Sequence, residues 1–276
     1  MMTDPAIKLV VSDIDGTILD HKHQIGPDLK PALKALEKRE IPFVLASARS
    51  PLGIFPIAQE LGLTGKPMAC YNGALIIQGQ PGQWQTLIEH SLDKKEVSRI
   101  IDAVKERFPQ VSINLYSKAD WIIEQADKWS KIEADITKET PLVQNLSLTL
   151  LDVLMPIHKL LLVEEAQTIQ ELFDYLTKLD FKDADFYLSK ENYLEVTSKK
   201  VSKENALREL ADFYQVPLEN TMALGDNFND LPMIRLAGVG VAMANAPQAV
   251  KAEADLITLS HSDEGVAYAL RNQVLM

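Results

Sequence analysis

Two carboxylates two positions apart, Asp13 and Asp15, follow an apolar run in VVSDIDGTILD (10–20). A second apolar run closes on acids in ALGDNFND (223–230), with Asp226, Asn229 and Asp230. On an extended chain, residues i and i+2 project to the same side, so Asp13 and Asp15 are expected to converge. Like charges that close repel unless a cation neutralises them or one keeps a proton, so the pair points to a divalent metal, to acid/base work, or to both. A calcium loop counted from Asp13 needs Gly at its sixth position and Glu at its twelfth. Ile18 and Gln24 stand there, which excludes it. Hard oxygen donors from 226–230 would complete an octahedral Mg2+ site with the first pair. Taken singly, each stretch reads as an acidic turn after a strand; taken together they favour a shared metal site.

Two further stretches carry chemistry. LASARS (45–50) puts Ser47 and Arg49 at the end of an apolar run, where a hydroxyl and a guanidinium can hold phosphoryl oxygens. Alone, the same pair reads as a cap and a solvated side chain. In SKKVSKENALREL (198–210), Ser202 has the place of a helix N-cap, and Lys203 falls in the first helical turn, where anions are already favoured. Without the acidic motifs, Lys203 reads as a surface lysine. The single cysteine, Cys70, lies where a strand enters a loop and reads as a buried packing thiol. Trp121 and Trp129 read as packing side chains ahead of ligand-stacking ones.

These residues need a scaffold that brings strand ends together. IKLVVSD (7–13) and IPFVLAS (41–47) are continuous apolar runs, the mark of parallel strands buried on both faces, and the helical pattern of PDLKPALKALEKRE (27–40) joins them as a β-α-β unit. The alternation returns in TMALGD, NDLPMIRLA, GVGVAM, APQAVKAEA and DLITL near the C-terminus. The two regions fit one doubly wound parallel sheet of an α/β core, whose ligands bind at the carboxyl ends of the strands. Between them, amphipathic helices (92–108, 164–179) mix with paired strands (SINLYS with WIIEQ, DFYLS with YLEVTS), as in an inserted α+β domain. The turn clusters GQPGQ (79–83) and SKEN (189–192) set its bounds, giving a core of 1–82 and 190–276 and an insertion of 83–189.

The chain's 276 residues, 46% hydrophobic, are enough for a sizeable core. A net charge of -11 argues against nucleic acid or an anionic membrane as partner, so an anionic substrate must be captured by local positive charge. One cysteine excludes an internal disulfide. No run approaches the length of a membrane span, and MMTDPAIKLVV (1–11) lacks the features of a signal peptide, so a cytoplasmic location is expected. Oligomeric state has no signature here.

In this arrangement the chain resembles the haloacid dehalogenase superfamily, in its Cof-type, sugar-phosphatase-like branch. DIDGT is similar to the nucleophile motif; Ser47 matches the hydroxyl of the second, Lys203 the third, and GDNFND the acidic fourth, while AGVGVAMANAPQAVKAEADLIT and DEGVAYAL resemble the branch's tail. The resemblance implies a Rossmann-like core with a large α+β (C2B-type) cap that closes over the site, and a Mg2+-dependent phosphatase acting on a small phosphorylated metabolite, a sugar phosphate or a phosphorylated cofactor. It implies Asp13 as nucleophile and Asp15 as acid/base, with Mg2+ held by Asp13, the Asp15 carbonyl and Asp226. Ser47, Lys203 and Asn229 would bind phosphate, Arg49 and Asn72 would face the substrate, and Thr17 and Asp230 would support the site. Two positions depart from the branch's pattern: Ala48 replaces the glycine of TGR, and Glu204 replaces the glycine after the lysine, where it would trim the positive field. A phosphomutase of the same architecture and a noncatalytic phospholigand sensor are the competing readings.

Overall fold

The computed structural model describes residues 6–275; residues 1–5, on which part of the leader reading rests, lie outside them. The chain divides into two compact units, one formed by residues up to Arg49, Ile54–Ile88 and Ser202 onward, the other by Ser50–Gly53 and Glu89–Val201.

The first unit is built on β1 (Leu9–Ser12), α1 (Leu29–Lys38), β2 (Phe43–Ala46), α2 (Pro51–Leu61), β3 (Pro67–Cys70), β4 (Leu75–Gln80) and β5 (Gln83–Glu89). The second unit follows with α3 (Lys94–Arg107), β6 (Ser112–Ser117), β7 (Asp120–Ile123), α4 (Lys128–Thr137), β8 (Leu142–Val143), α5 (Leu146–Leu151), β9 (Lys159–Val163), α6 (Ala166–Leu176), β10 (Ala184–Lys190) and β11 (Tyr193–Ser198). The chain then returns to the first with α7 (Lys203–Tyr214), β12 (Thr221–Gly225), α8 (Leu231–Leu236), β13 (Val239–Ala242), α9 (Gln248–Lys251), β14 (Leu256–Ile257) and α10 (Gly265–Gln273).

The core sheet has the order β14-β13-β12-β1-β2-β3-β4-β5, parallel from β14 to β3 and antiparallel at β3–β4. The residues of β1, β2 and β3 are buried throughout, as expected of strands covered on both faces. The helices supply the cover through one face each: α1 buries Leu29, Ala32, Leu33 and Leu36, and α7 buries Ala206, Leu207, Leu210 and Ala211. Leu207, Leu210 and Met233 pack with Leu9, Val11 and Val44 in one cluster.

The inserted sheet has the order β10-β11-β9-β6-β7-β8 and is antiparallel except at β7–β8. Alternation along β9 sends Leu160 and Leu162 toward α3 and α6, where they meet Ile100, Ile101, Ile169 and Leu172. Trp121 is buried, stacked on Tyr116 at 6.1 Å, with its Nε1 donating to Asn114 Oδ1 at 3.0 Å, so it packs as expected.

Both turn clusters taken as domain bounds lie inside a unit. GQPGQ turns the chain between β4 and β5, neighbours in the core sheet, and SKEN turns it between β10 and β11 of the insertion. The crossings fall at Ile88/Glu89 and Val201/Ser202 instead of at 82 and 189. Among the described residues, no helix is long and apolar enough to cross a membrane.

Candidate active site

The chain order reverses its sheet direction at β1, with β2 on one side and β12 on the other. Loops leaving the carboxyl ends of adjacent strands diverge there, leaving the crevice in which ligands of open α/β sheets bind. Asp13 stands directly after β1, its amide donating to Leu224 O at 2.9 Å; Ser47 directly follows β2, and Asp226 follows β12. Lys203 is the first residue of α7, whose cap is Ser202, its side chain accepting the Asn205 amide at 3.1 Å.

The structure brings Asp13, Asp226, Asp230 and Lys203 together. One oxygen from each of the three carboxylates lies within 4.8 Å of the others. Lys203, 1% exposed, donates to Asp13 Oδ1 and, at 2.6 Å, to Asp230 Oδ1. It is therefore a buried ion-pair centre and not a surface lysine. Asp230 Oδ2 accepts the amides of Asp226 and Asn227 at 2.9 and 3.0 Å, so the same carboxylate aims the lysine and shapes the 226–230 loop. Only glycine fits at 225, where a Cβ would stand 2.3 Å from that of Asp230.

Asp13 and Asp15 do not lie on one extended strand, because β1 ends at Ser12 and the chain is already turning: the amides of Thr17, Ile18 and Leu19 all point to Ile14 O. Asp15 is exposed and held by Arg49, with Nε on Oδ2 at 2.7 Å and Nη2 on Oδ1 at 2.6 Å. Gly16 has φ +81°, and a Cβ there would stand 2.5 Å from Asp226 Oδ2. Thr17 donates to Asp226 Oδ1 at 3.2 Å, which links the turn after β1 to the loop after β12.

Ser47 is buried, and its Oγ accepts the main-chain N–H of Arg49 at 3.2 Å; Asn72, also buried, donates its main-chain N–H to Ser47 O at 2.8 Å. Asn229 is exposed on the 226–230 loop. Glu204 does not face Lys203; its carboxylate pairs with Arg208 at 2.9 Å one turn along α7. Cys70 is fully buried, and burial pushes its thiol far above the usual range, as suits a packing residue.

The electrostatics of the cluster are unbalanced. Three carboxylates face one ammonium, so with all groups ionised two negative charges stay uncompensated. Burial raises the Asp13 carboxyl well above the ordinary range, Lys203 opposes the rise, and Asp230 and Asp226 add to it. Burial and then Asp230 push Asp226 up to about 6. Burial alone would lower Lys203, but Asp13 and Asp230 more than offset it and hold the ammonium above its usual value. A hard divalent cation fits both the charge deficit and the donor chemistry, with Asp13 and Asp226 as side-chain ligands and Asp230 already occupied by Lys203 and two amides.

Asn245 joins the site without a local sequence signal: it lies in the loop after β13, the strand beside β12, at the same sheet edge. Its Nδ2 donates to Gly16 O at 2.9 Å and lies 3.4 Å from Asp226 Oδ2.

Residues 10–270 match the haloacid dehalogenase-like hydrolase family. A Haemophilus influenzae protein named as a candidate phosphatase is 33% identical over 96% of this chain and 98% of its own. The 5-amino-6-(5-phospho-D-ribitylamino)uracil phosphatase of Bacillus subtilis is 26% identical, covering 99% of this chain and 98% of its own. Among solved structures, a haloacid dehalogenase-like hydrolase from Bacteroides thetaiotaomicron superposes with a TM-score of 0.85 at 32% identity, over 96% of this chain and 99% of that one.

Proposed function

Since this chain belongs to the haloacid dehalogenase-like hydrolase family, we propose that it is a Mg2+-dependent phosphatase of a small phosphorylated metabolite, a sugar phosphate or a phosphorylated cofactor. The observation that carries the reading is the charge deficit of Asp13, Asp226 and Asp230 around Lys203 at the sheet's switch point. The name of the Bacillus subtilis relative, which describes a phosphate monoester on a ribityl side chain, supports the substrate class.

When bound by Asp13, Asp226 and the Asp15 carbonyl, the ion supplies charge neutralisation between carboxylate and phosphate. A carboxylate oxygen of Asp13 attacks phosphorus in line, the bond to the leaving oxygen breaks, and an aspartyl-phosphate forms. Asp15 gives its proton to the leaving oxygen and then takes one from the water that cleaves the aspartyl-phosphate, releasing phosphate and restoring Asp13. Lys203, Ser47 and Asn229 hold the transferring oxygens, with the ammonium acting where the dielectric is low. In the resting arrangement Asp15 is paired with Arg49, so the pair must open and Asp15 must take up a proton from solvent before it acts as the acid. An arriving phosphate dianion competes for that guanidinium, and Arg49 and Asn72 then face substrate.

The reading is tested by phosphate release from an aryl phosphate and from a panel of phosphorylated metabolites ranked by kcat/KM. Steady release with Mg2+, abolished by a chelator and restored by added metal, is the expected result. Release that ignores chelation, or that needs a sugar bisphosphate activator as an obligate mutase would, sinks it.

Stability should report the same site. With their carboxyls raised in the fold, to about 8 and about 6, Asp13 and Asp226 make the metal-free native state bind more protons than the unfolded chain, so their repulsion fades as pH falls from about 8 through about 6 toward 3.8. A cation competes with those protons. The gain in Tm from saturating Mg2+ is therefore expected to be larger at pH 7.5 than at pH 5.5, measured by scanning calorimetry; equal gains would separate the ion from these carboxylates.

A further inference from the structure

Resting on the metal reading above, the network around Asp226 goes one step further than its ligands. Asp226 Oδ1 accepts Thr17 Oγ1 at 3.2 Å, and Oδ2 faces Asn245 Nδ2 at 3.4 Å. The same Nδ2 donates to Gly16 O at 2.9 Å, and Asn245 Oδ1 accepts the His261 amide at 3.0 Å. A main-chain N–H can only donate, so His261 fixes which end of the Asn245 amide is oxygen, and the NH2 end has to face Gly16 and Asp226. One side chain thus ties together the turn after β1, the loop after β12 and the segment that leads into α10.

We propose that Asn245 is a positioning residue for the divalent cation: it fixes the orientation of the Asp226 carboxylate and its separation from the 16–17 turn. Partners behind a metal ligand hold it in one orientation, so binding the ion need not freeze a mobile side chain. Asn245 is itself exposed, so its hydrogen bonds add little to stability, and their effect is on geometry. Thr17 alone restrains one oxygen; the second restraint from Asn245 stops rotation about the carboxylate bond.

The test is Mn2+ binding to the full chain, followed by the electron paramagnetic resonance of the free ion, in wild type, Asn245→Ala and Ser262→Ala. Ser262, whose Oγ lies 3.2 Å from His21 Nδ1, tethers the same C-terminal segment without touching Asp226, and serves as the control. Asn245→Ala is expected to weaken Mn2+ binding by roughly 10- to 100-fold with an unchanged metal-free Tm, while Ser262→Ala binds as wild type does. Affinity of Asn245→Ala within about twofold of wild type overturns the inference, as does an equal loss in Ser262→Ala, which would assign the effect to the segment as a whole. Wild type that binds no Mn2+ sinks the metal reading and this one with it.

Discussion

Asp13→Asn is expected to reduce phosphate release by roughly 10^4-fold or more while leaving the fold intact. The amide keeps the shape of the carboxylate and an acceptor for Lys203, so the ammonium retains both of its neighbours, Asp230 as an ion pair and residue 13 as a neutral acceptor. What it loses is the nucleophile. The stability response separates this from simple damage: burial and the neighbouring carboxylates disfavour ionised Asp13, and removing that charge cuts the local excess from two to one. In metal-free buffer the Tm of the variant should equal or exceed that of wild type, a pattern expected where a fold holds strained charge for the sake of activity. Turnover near wild type with Mg2+ would falsify the covalent route.

Lys203→Met should produce the opposite stability response. Removing the ammonium leaves Asp13 and Asp230, both almost wholly buried, without their shared counter-ion, and breaking a buried pair from one side costs about 3–5 kcal/mol. For a chain of this size that corresponds to a Tm lower by on the order of 10 °C. Activity should fall by roughly 10^2- to 10^3-fold, the range for losing one preorganised donor to developing charge. Lys203→Arg should not rescue it, because a site with 1% exposure has no room for a planar fork. A variant within tenfold of wild-type turnover would reduce Lys203 to a structural role.

Much of this site is legible in the sequence because its residues stand at strand ends. Apolar runs stop at Asp13, Ser47 and Asp226, and strand ends of a parallel sheet lie side by side. Ser202 is legible for a local reason, since a cap acts within its own first turn. The Asp15–Arg49 pair is not: the spacing of Asp13 and Asp15 invites an extended geometry, whereas the chain turns on Ile14 O and Asp15 meets a partner 34 residues away. GQPGQ and SKEN show a second limit. A turn signature states that the chain reverses, not whether the next strand rejoins the same sheet. Asn245 shows a third, because an asparagine in a polar loop has no local pattern until the neighbouring strand places it beside Gly16.

The pairing of β1 has a consequence for biogenesis. Leu9 and Val10 lie opposite Thr221 and Met222, across the whole insertion, whereas the other edge of β1 meets β2 nearby in the chain. At about 5–20 residues per second, a ribosome needs roughly 10 to 40 s to deliver β12 after β1. Through that interval one side of the first strand lacks its partner, and Asp13 remains in water, far from Lys203 and Asp230. The charged cluster is therefore assembled last, by the return of the C-terminal segment from Ser202 onward, and the nascent chain is spared a buried repulsion until the groups that organise it have arrived.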